Sequence, residues 1–575
     1  MRNISLAAAL LFIFLPVFSM DIIIEAEALP EVYDYSAQTG SSGISILKET
    51  PLLPGVNFSE KGLPGLQADV FIGGGTFEQA AVFLDGVPVN DPQTGHYNMD
   101  LPVPGAALSG VKIINNAGAF TGAGALSGMA EFSTYEPDRD FFNVSQNFGT
   151  YDTFETAAQA SKSFDDYRLY FAGSTGGSRG FHEGTDYYRH NAFAKILMPG
   201  GVKLTGGYEE KNYGAFDFYT PGAGLASREH VITKFASLDS VPYRDLRVII
   251  FGRSHYDRFI LNNNNPSYYM NIHNNASYGA SAVQMLRSEA GVFRLIFRPL
   301  REEIQSTNLG NRYRMKAFGS AGWFAEPVEG LKINLNAGVQ FLEASDMPDL
   351  MPSFNSSYQI DENFGVFAGW GLSSRHPNFT ELYYNDPKNE GNPGLKPEHS
   401  QQANAGVKFE AAGLTAKLEG FYRHGTDMID WGKEDISDEK WKISNIGVFT
   451  TAGGSLYAEY DAEVFSAVIS YAYTDSSKKE GYVSKYKEVY LKNKFAAGIK
   501  AGDEETGVSA GYVYKDYANR HDAMHSLFLT AHYMPVKYAK VSLSVDNALN
   551  INFEETPGVP APGRVITLGV DYEYR

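Results

Sequence analysis

The chain has 575 residues, no cysteine, 14% aromatic residues and a formal net charge of −19. Absence of cysteine excludes disulfide scaffolds, thiolate metal sites and cysteine nucleophiles, and the acidic balance argues against nucleic-acid binding, which needs basic patches. Beyond residue 18 no apolar run approaches the roughly 20 residues of a spanning helix.

Met1–Ser19 reads as a signal peptide, with Arg2 in the positive region, Ile4–Phe18 as the apolar region, and Val17 and Ser19 at the −3 and −1 positions of a cleavage site. As a membrane anchor the apolar run is short. Residues 20–43 follow as a leader segment. In it Asp21, Ile22, Ile23, Ile24, Glu25 and Ala26 form a short β-branched stretch able to pair as an added strand with a partner sheet, or to start the next domain's own sheet. Asp34–Gly43 is a polar linker.

Residues 44–137 read as a small mixed α/β domain. Ile44–Lys48 suits one or two helical turns, stopped by Pro51 and Pro54. Short strands are predicted at Val56–Phe58, Ala68–Ile72, Ala81–Leu84 and Val111–Ile114. Asp85-Gly86 is a tight-turn dipeptide. Gly73-Gly74-Gly75 is a loop without the lysine and following helix of a phosphate-binding signature. A small-residue run, Gly118–Gly128, closes the unit.

From residue 138 to the end the chain alternates strand after strand. Short turns such as Asp165-Asp166 and Pro199-Gly200-Gly201 alternate with longer loops, including Arg179–Arg189, Tyr213–Arg228, Leu261–Asn275, Arg375–Lys396, Asp430–Trp441 and Asp475–Lys485. Roughly 20 residues per strand and connection implies about 22 strands. In the last strand Ile566, Leu568, Val570, Tyr572 and Tyr574 alternate with Thr567, Gly569, Asp571 and Glu573. Leu414–Arg423 alternates the same way. One face suits lipid and the other a wet lumen. The expected fold is therefore an all-β transmembrane barrel of about 22 antiparallel strands, its lumen occluded by the N-terminal mixed α/β plug. A soluble sandwich or propeller would need buried faces for the same pattern and shows no blade-length repeat.

Several stretches resemble the TonB-dependent receptors of Gram-negative outer membranes. Leu47–Val56 is similar to the family's early plug helix and its exit, and Val82–Pro88 to a plug strand. Gly122–Thr134, Arg375–Glu398 and Asp546–Asn550 with Pro562-Gly563-Arg564 resemble later family segments. Asn90–Leu101, Phe218–Pro221 and the loop holding Pro266, Tyr269, Asn271 and His273 look like the vitamin B12 (cobalamin) receptor branch. Two plug positions where the family carries arginine read Phe71-Ile72-Gly73-Gly74 and Asn115-Asn116-Ala117 here.

The resemblance implies a transporter rather than an enzyme, with no cofactor, and no Ser/His/carboxylate grouping on neighbouring strands supports hydrolysis. It implies uptake of cobalamin or a related corrinoid, coupled through Asp21–Ala26 to the periplasmic protein TonB. A ferric-siderophore or haem receptor of the same fold, and a non-transporting adhesion protein, are the other readings. The expected partners are outer-membrane lipid and the chelate, with a capping surface lipoprotein left open. Candidate ligand contacts are Gln93, His96, Tyr97 and Asn98 at the plug apex, with Tyr219, Tyr268, Tyr269 and His273 in outer loops. Tyr and Asn supply amphipathic area and hydrogen bonds for a large, partly polar ligand. No resident metal is expected. The nearest candidate is a loop calcium at Asp186 with Glu183, oxygen ligands whose spacing fits no known calcium loop.

Overall fold

The computed structural model describes residues 32–36, 50–115, 118–343, 347–433, 435, 437–477, 483–485 and 490–574. Met1–Ser19, Asp21–Ala26 and Ile44–Lys48 lie outside the described residues.

Twenty-two antiparallel strands, beginning with Phe141–Gly149, form one closed barrel. The final strand, Val565–Tyr574, pairs back onto the first, with Leu568 opposite Phe148 and Tyr574 opposite Phe142. That pairing leaves no open edge to hydrogen-bond with lipid, which offers no partner. Turns at the end where the chain enters are short. One uses Asp165 at a φ of 50°, the left-handed conformation that Asp tolerates. Connections at the opposite end are long, notably between Arg375 and Glu398 and between Thr426 and Phe449. Short periplasmic turns and longer outer loops are the ordinary arrangement of such barrels.

The two-faced strands are as expected. Leu568, Val570 and Tyr572 point outward and are exposed, whereas Asp571 between them is 3% exposed. In the strand Leu414–Thr426, Leu418 and Tyr422 face out while Lys417, Glu419 and Arg423 are buried against the lumen. Val570→Arg places a charge on the lipid face midway along its strand. It is expected to cost about 2–4 kcal/mol, measured by reversible folding into lipid vesicles, with Val570→Ala costing much less.

Some loop limits differ from the sequence reading. The strand Met270–Ser288 takes in Asn271, His273 and Asn275, which the sequence assigns to a loop. Their polar side chains are buried: Asn275 bonds to the plug at Asp91, while Asn271 bonds to Tyr269 and His273 to Ser306. Asp430–Trp441, read as one loop, contributes to two strands, Ile429–Lys433 and Trp441–Asn445, of a small sheet outside the barrel. The two strands pair antiparallel, with Ile429 and Ile443 buried.

The plug fills the lumen. Its main sheet runs in the order β1 (Val32–Ser36), β6 (Leu108–Asn115), β7 (Gly128–Thr134), β4 (Ala80–Leu84), β5 (Val87–Pro88), beside a hairpin of β2 (Val56–Lys61) and β3 (Gln67–Ile72). β1 lies in the leader segment, overlaps the start of the stretch read as a linker, and pairs antiparallel with β6. Asp85 and Gly86, at φ of 51° and 85°, make the tight turn between β4 and β5. The run Gly118–Gly128 gives only a four-residue helix, Gly118–Thr121. Val70, Val82, Leu84, Val111, Ile113 and Phe132 form the plug core, which continues into the wall through Tyr170, Phe193, Phe235 and Phe251.

Candidate functional site

The apical loop Asn90–Leu101 is pinned by its own side chains. Asp91 N donates to Asn98 Oδ1 at 2.8 Å, and Gln93 N donates to Asp91 Oδ1 at 2.8 Å. Thr94 caps the single turn Gly95–Tyr97. This loop projects His96 against the Phe77 ring, with centroids 4.2 Å apart. Tyr219, from the outer loop between Gly214 and Arg228, meets His96 edge-on at 5.7 Å, and Phe259 meets Tyr219 at 5.2 Å. Beneath them His96 Nδ1 lies 2.9 Å and Lys61 Nζ 3.0 Å from the two oxygens of Asp69. Burial alone would raise the Asp69 pKa; the adjacent His96 and Lys61 override it and hold the carboxyl at about 2. The result is an aromatic cluster on a buried charged base, with Phe77 buried and His96, Tyr219 and Phe259 partly exposed.

The eight candidate contact residues divide by depth. His96 and Tyr219 sit on this surface, partly exposed. Tyr268 is 70% exposed on the outer loop, and Tyr269 Oη lies 2.9 Å from Tyr384 Oη. The other four are buried between plug and wall. Tyr97 Oη donates to Glu229, which also accepts from Tyr213 at 2.8 Å and Tyr219 at 3.1 Å. Gln93 Oε1 accepts from Asn275 at 3.3 Å, and His273 Nδ1 lies 2.8 Å from Ser306 Oγ. Asn98 holds the loop itself.

Charge is distributed unevenly across the interface. Plug residues 50–137 contain eight carboxylates, two lysines and no arginine. The wall supplies the cations. Arg253 donates to Asp91 Oδ2 at 2.6 Å and to Tyr97 O at 3.0 Å. Lys211 binds Asp100 at 2.6 Å and Leu66 O at 2.6 Å. Lys494 donates to Leu53 O at 2.7 Å and Val56 O at 2.6 Å, at the start of β2. A Cβ at Gly73, near the first expected plug arginine, would sit 3.5 Å from Ser127 O and 3.9 Å from Nη1 of the wall's Arg423. Gly74, at a φ of 69°, packs so close to the wall that a Cβ there would sit 2.5 Å from Thr474. The missing plug arginines are visible in the sequence, but the wall cations that face the plug are not. The arginine-free, carboxylate-rich composition of residues 50–137 is the signal that points to them.

An outer loop reaches down to the plug. Its helix, Phe379–Tyr383, is capped by Asn378 and docks through Phe379 N to Pro92 O at 2.9 Å and Thr380 N to Gln93 O at 3.1 Å. Asn378 Nδ2 donates to Glu78 Oε2 at 2.8 Å. Arg375 grips Glu381 through two bonds of 2.9 Å and also binds Glu398, which accepts from the plug's Gln79 at 3.1 Å. Burial first, then the nearby Glu381, pushes the Glu78 pKa up from 4.5 to about 7. The folded state therefore holds a proton that the unfolded chain has released between those values. This contribution to stability is complete below about pH 4.5 and is lost as pH rises through about 7. Glu78→Gln is expected to flatten that part of the pH–melting-temperature profile, read by intrinsic fluorescence.

The description "TonB dependent receptor-like, beta-barrel" matches residues 88–548. The chain belongs to the TonB-dependent receptor family. It is an outer-membrane β-barrel transporter. The vitamin B12 transporter BtuB of Vibrio vulnificus is 21% identical over 467 residues, 76% of this chain and 73% of its own. BtuB of Photobacterium profundum is 27% identical over 126 residues, 22% of this chain and 20% of its own. Among solved structures, the iron transporter FrpB of Neisseria meningitidis superposes with a TM-score of 0.77 at 13% identity, covering 95% of this chain and 100% of that one. The copper transporter OprC superposes with a TM-score of 0.77 at 16% identity, covering 95% and 99%. At these identities the structures share the receptor's fold.

In this receptor the candidate calcium ligand Asp186 is clasped by Arg228, with both oxygens 2.9–3.0 Å from one guanidinium nitrogen. Among the described residues no group of three His, Asp or Glu side chains has metal-binding geometry.

Proposed function

We propose that this receptor takes up cobalamin or a related corrinoid, bound at the plug apex beneath the outer loops. The observation that carries the reading is the aromatic surface of Phe77, His96, Tyr219 and Phe259. A broad ligand with an apolar face and amide edges would rest on it, because tyrosine and histidine pair apolar area with a polar tip. Tyr268 and Tyr269 would close over it from the outer loop. Gln93, Tyr97, Asn98 and His273 would position the apex, being bonded to the wall or to the loop itself. The match to vitamin B12 transporters over most of the chain supports this choice.

Coupling would run through Asp21–Ala26 as a strand captured by TonB. A lipoprotein cap would seat on the outer loops. A ferric-siderophore or haem receptor is the second reading, favoured by structural neighbours named as iron and siderophore receptors.

Calorimetry of the purified receptor against cyanocobalamin, haem and ferric siderophores separates the two. Corrinoid binding is expected, weakened about 10–100-fold by His96→Ala with Tyr219→Ala, the loss of a few kcal/mol at anchoring aromatics. Deleting Asp21–Ala26 is expected to abolish uptake and leave binding unchanged. Binding of a siderophore without any corrinoid binding would replace the first reading by the second.

A further inference from the structure

The wall does not hold the plug evenly. Every strand from Tyr187–Met198 to Gly291–Ser306 bonds to it. Arg189 donates to Gly65 O at 3.2 Å, Lys211 to Asp100 at 2.6 Å and Arg253 to Asp91 at 2.6 Å. Glu229 accepts from Tyr97, Asn275 donates to Asp91 at 3.0 Å, and Arg298 donates to Thr121 O at 2.7 Å.

Farther round the wall, at Leu331–Leu342, Asp349–Gln359, Phe364–Arg375 and Glu398–Ala411, the inner face changes character. One row across these strands, in register, is Asn336, Ser353, Gly371 and Gln402. The row beside it is Asn334, Asn355, Gly369 and Asn404. Leu335, Phe354 and Trp370, their neighbours along the strands, are exposed on the lipid side, so both rows face the lumen. Neither row carries a charge. Gly369 makes room between its neighbours: a Cβ there would lie 2.5 Å from Asn355 Oδ1 and 2.7 Å from Asn404 Oδ1.

The plug meets this sector only at its upper margin with bonds or close contact. Gln79 donates to Glu398 at 3.1 Å, Ser400 Oγ donates to Leu126 O at 3.2 Å, and a Cβ on Gly118 would sit 2.1 Å from Ser373 Oγ. Among the described residues no amide or hydroxyl of the two rows bonds to the plug. Asn336 accepts from Arg294 at 3.3 Å and donates to Asn334 at 2.6 Å, both wall residues. Ser353 Oγ, Asn355 Nδ2, Gln402 Oε1 and both amide atoms of Asn404 have no partner. Those four residues are nevertheless covered, at 4–5% exposed.

The two kinds of interface differ in what it takes to open them. Drawing the plug off Arg253 or Lys211 strands a buried charge. Drawing it off the amide rows breaks no ion pair and admits water to groups for which unbonded burial is unfavourable. We infer that the plug parts from the wall along these four strands and that cargo passes there, over the amide rows. Each amide both donates and accepts, so a polar cargo exchanges hydrogen bonds with this lining as water does, and no fixed charge in the rows holds it back. The inference rests on the receptor being a transporter and does not depend on which nutrient it carries.

The chain has no cysteine, so a single introduced thiol reports its own position. The test places the full-length receptor in planar bilayers with sub-denaturing urea and adds the cationic thiol reagent MTSET. Asn355→Cys and, independently, Asn404→Cys put the thiol in the second row. Thr233→Cys and Ser237→Cys put it on the inner face of the gripped strand Arg228–Tyr243, where the native residues are 0% and 6% exposed. Modification is expected to be about tenfold faster at 355 and 404 than at 233 and 237, because local opening populates the less firmly bonded interface first. It should also reduce the urea-induced current at 355 and 404 and leave it unchanged at 233 and 237. Equal rates at all positions, faster modification at 233 or 237, or modification at 355 and 404 without a fall in current would overturn the inference.

Discussion

Arg375→Ala is expected to cost about 3–5 kcal/mol, because it strands two buried carboxylates rather than merely deleting one contact. Arg375 is 5% exposed, Glu381 4% and Glu398 0%. Its fork spans both, so removal leaves Glu381 beside Glu78, a partly buried acid about 300 residues away in sequence but linked through Asn378. The helix Phe379–Tyr383 should then leave Pro92 and Gln93, exposing the outer loop to protease. Arg375→Lys keeps the charge and loses the bidentate geometry, so it should fall between. The double variant Arg375→Ala with Glu381→Gln should recover part of the loss, since one stranded charge is gone. Melting temperature by tryptophan fluorescence and limited proteolysis of the loop read the two effects separately. A cost near that of an exposed ion pair, about 0–1 kcal/mol, would show that the loop is not held by this arginine.

The barrel was legible in the sequence because its cause is local. A strand with one lipid face and one wet face must alternate, and Ile566 to Tyr574 alternate without exception. The plug was legible from Asp85-Gly86 and the strands around it for the same reason. What did not show was the matching of plug to wall. Nothing near Asp91 announces Arg253, which lies on a strand 162 residues downstream. So Gln93, Tyr97 and Asn98 were recognisable as an apical loop, while their burial against Glu229, Asn275 and the loop itself was not. Asn271, His273 and Asn275 were misread for a related reason. Polar residues in a barrel strand look like loop until the polar object they face is known.

Arg253→Ala is the second large effect, and it addresses how this plug is locked without arginines of its own. Asp91 has a side chain 0% exposed and Arg253 one that is 3% exposed. Water cannot replace either partner, so truncating Arg253 leaves Asp91 charged and buried with only Asn275 and Gln93 N as donors. The expected cost is again about 3–5 kcal/mol, far more than for the exposed pair Lys408–Glu410, whose side chains are 48% and 50% exposed. The loss falls on plug docking rather than on the barrel, whose strand pairing does not use this side chain. Planar-bilayer conductance should therefore rise, or appear at lower urea, in Arg253→Ala but not in Lys408→Ala. Asp91→Asn keeps the loop's hydrogen bonds while removing the charge, and should open the plug less than Arg253→Ala, because a neutral amide is cheaper to bury than an unpaired carboxylate. If Arg253→Ala and Lys408→Ala conduct alike, the wall cations do not hold the plug. The restraint on the plug would then lie elsewhere, first of all at Lys494 and the two carbonyls it binds at Leu53 and Val56.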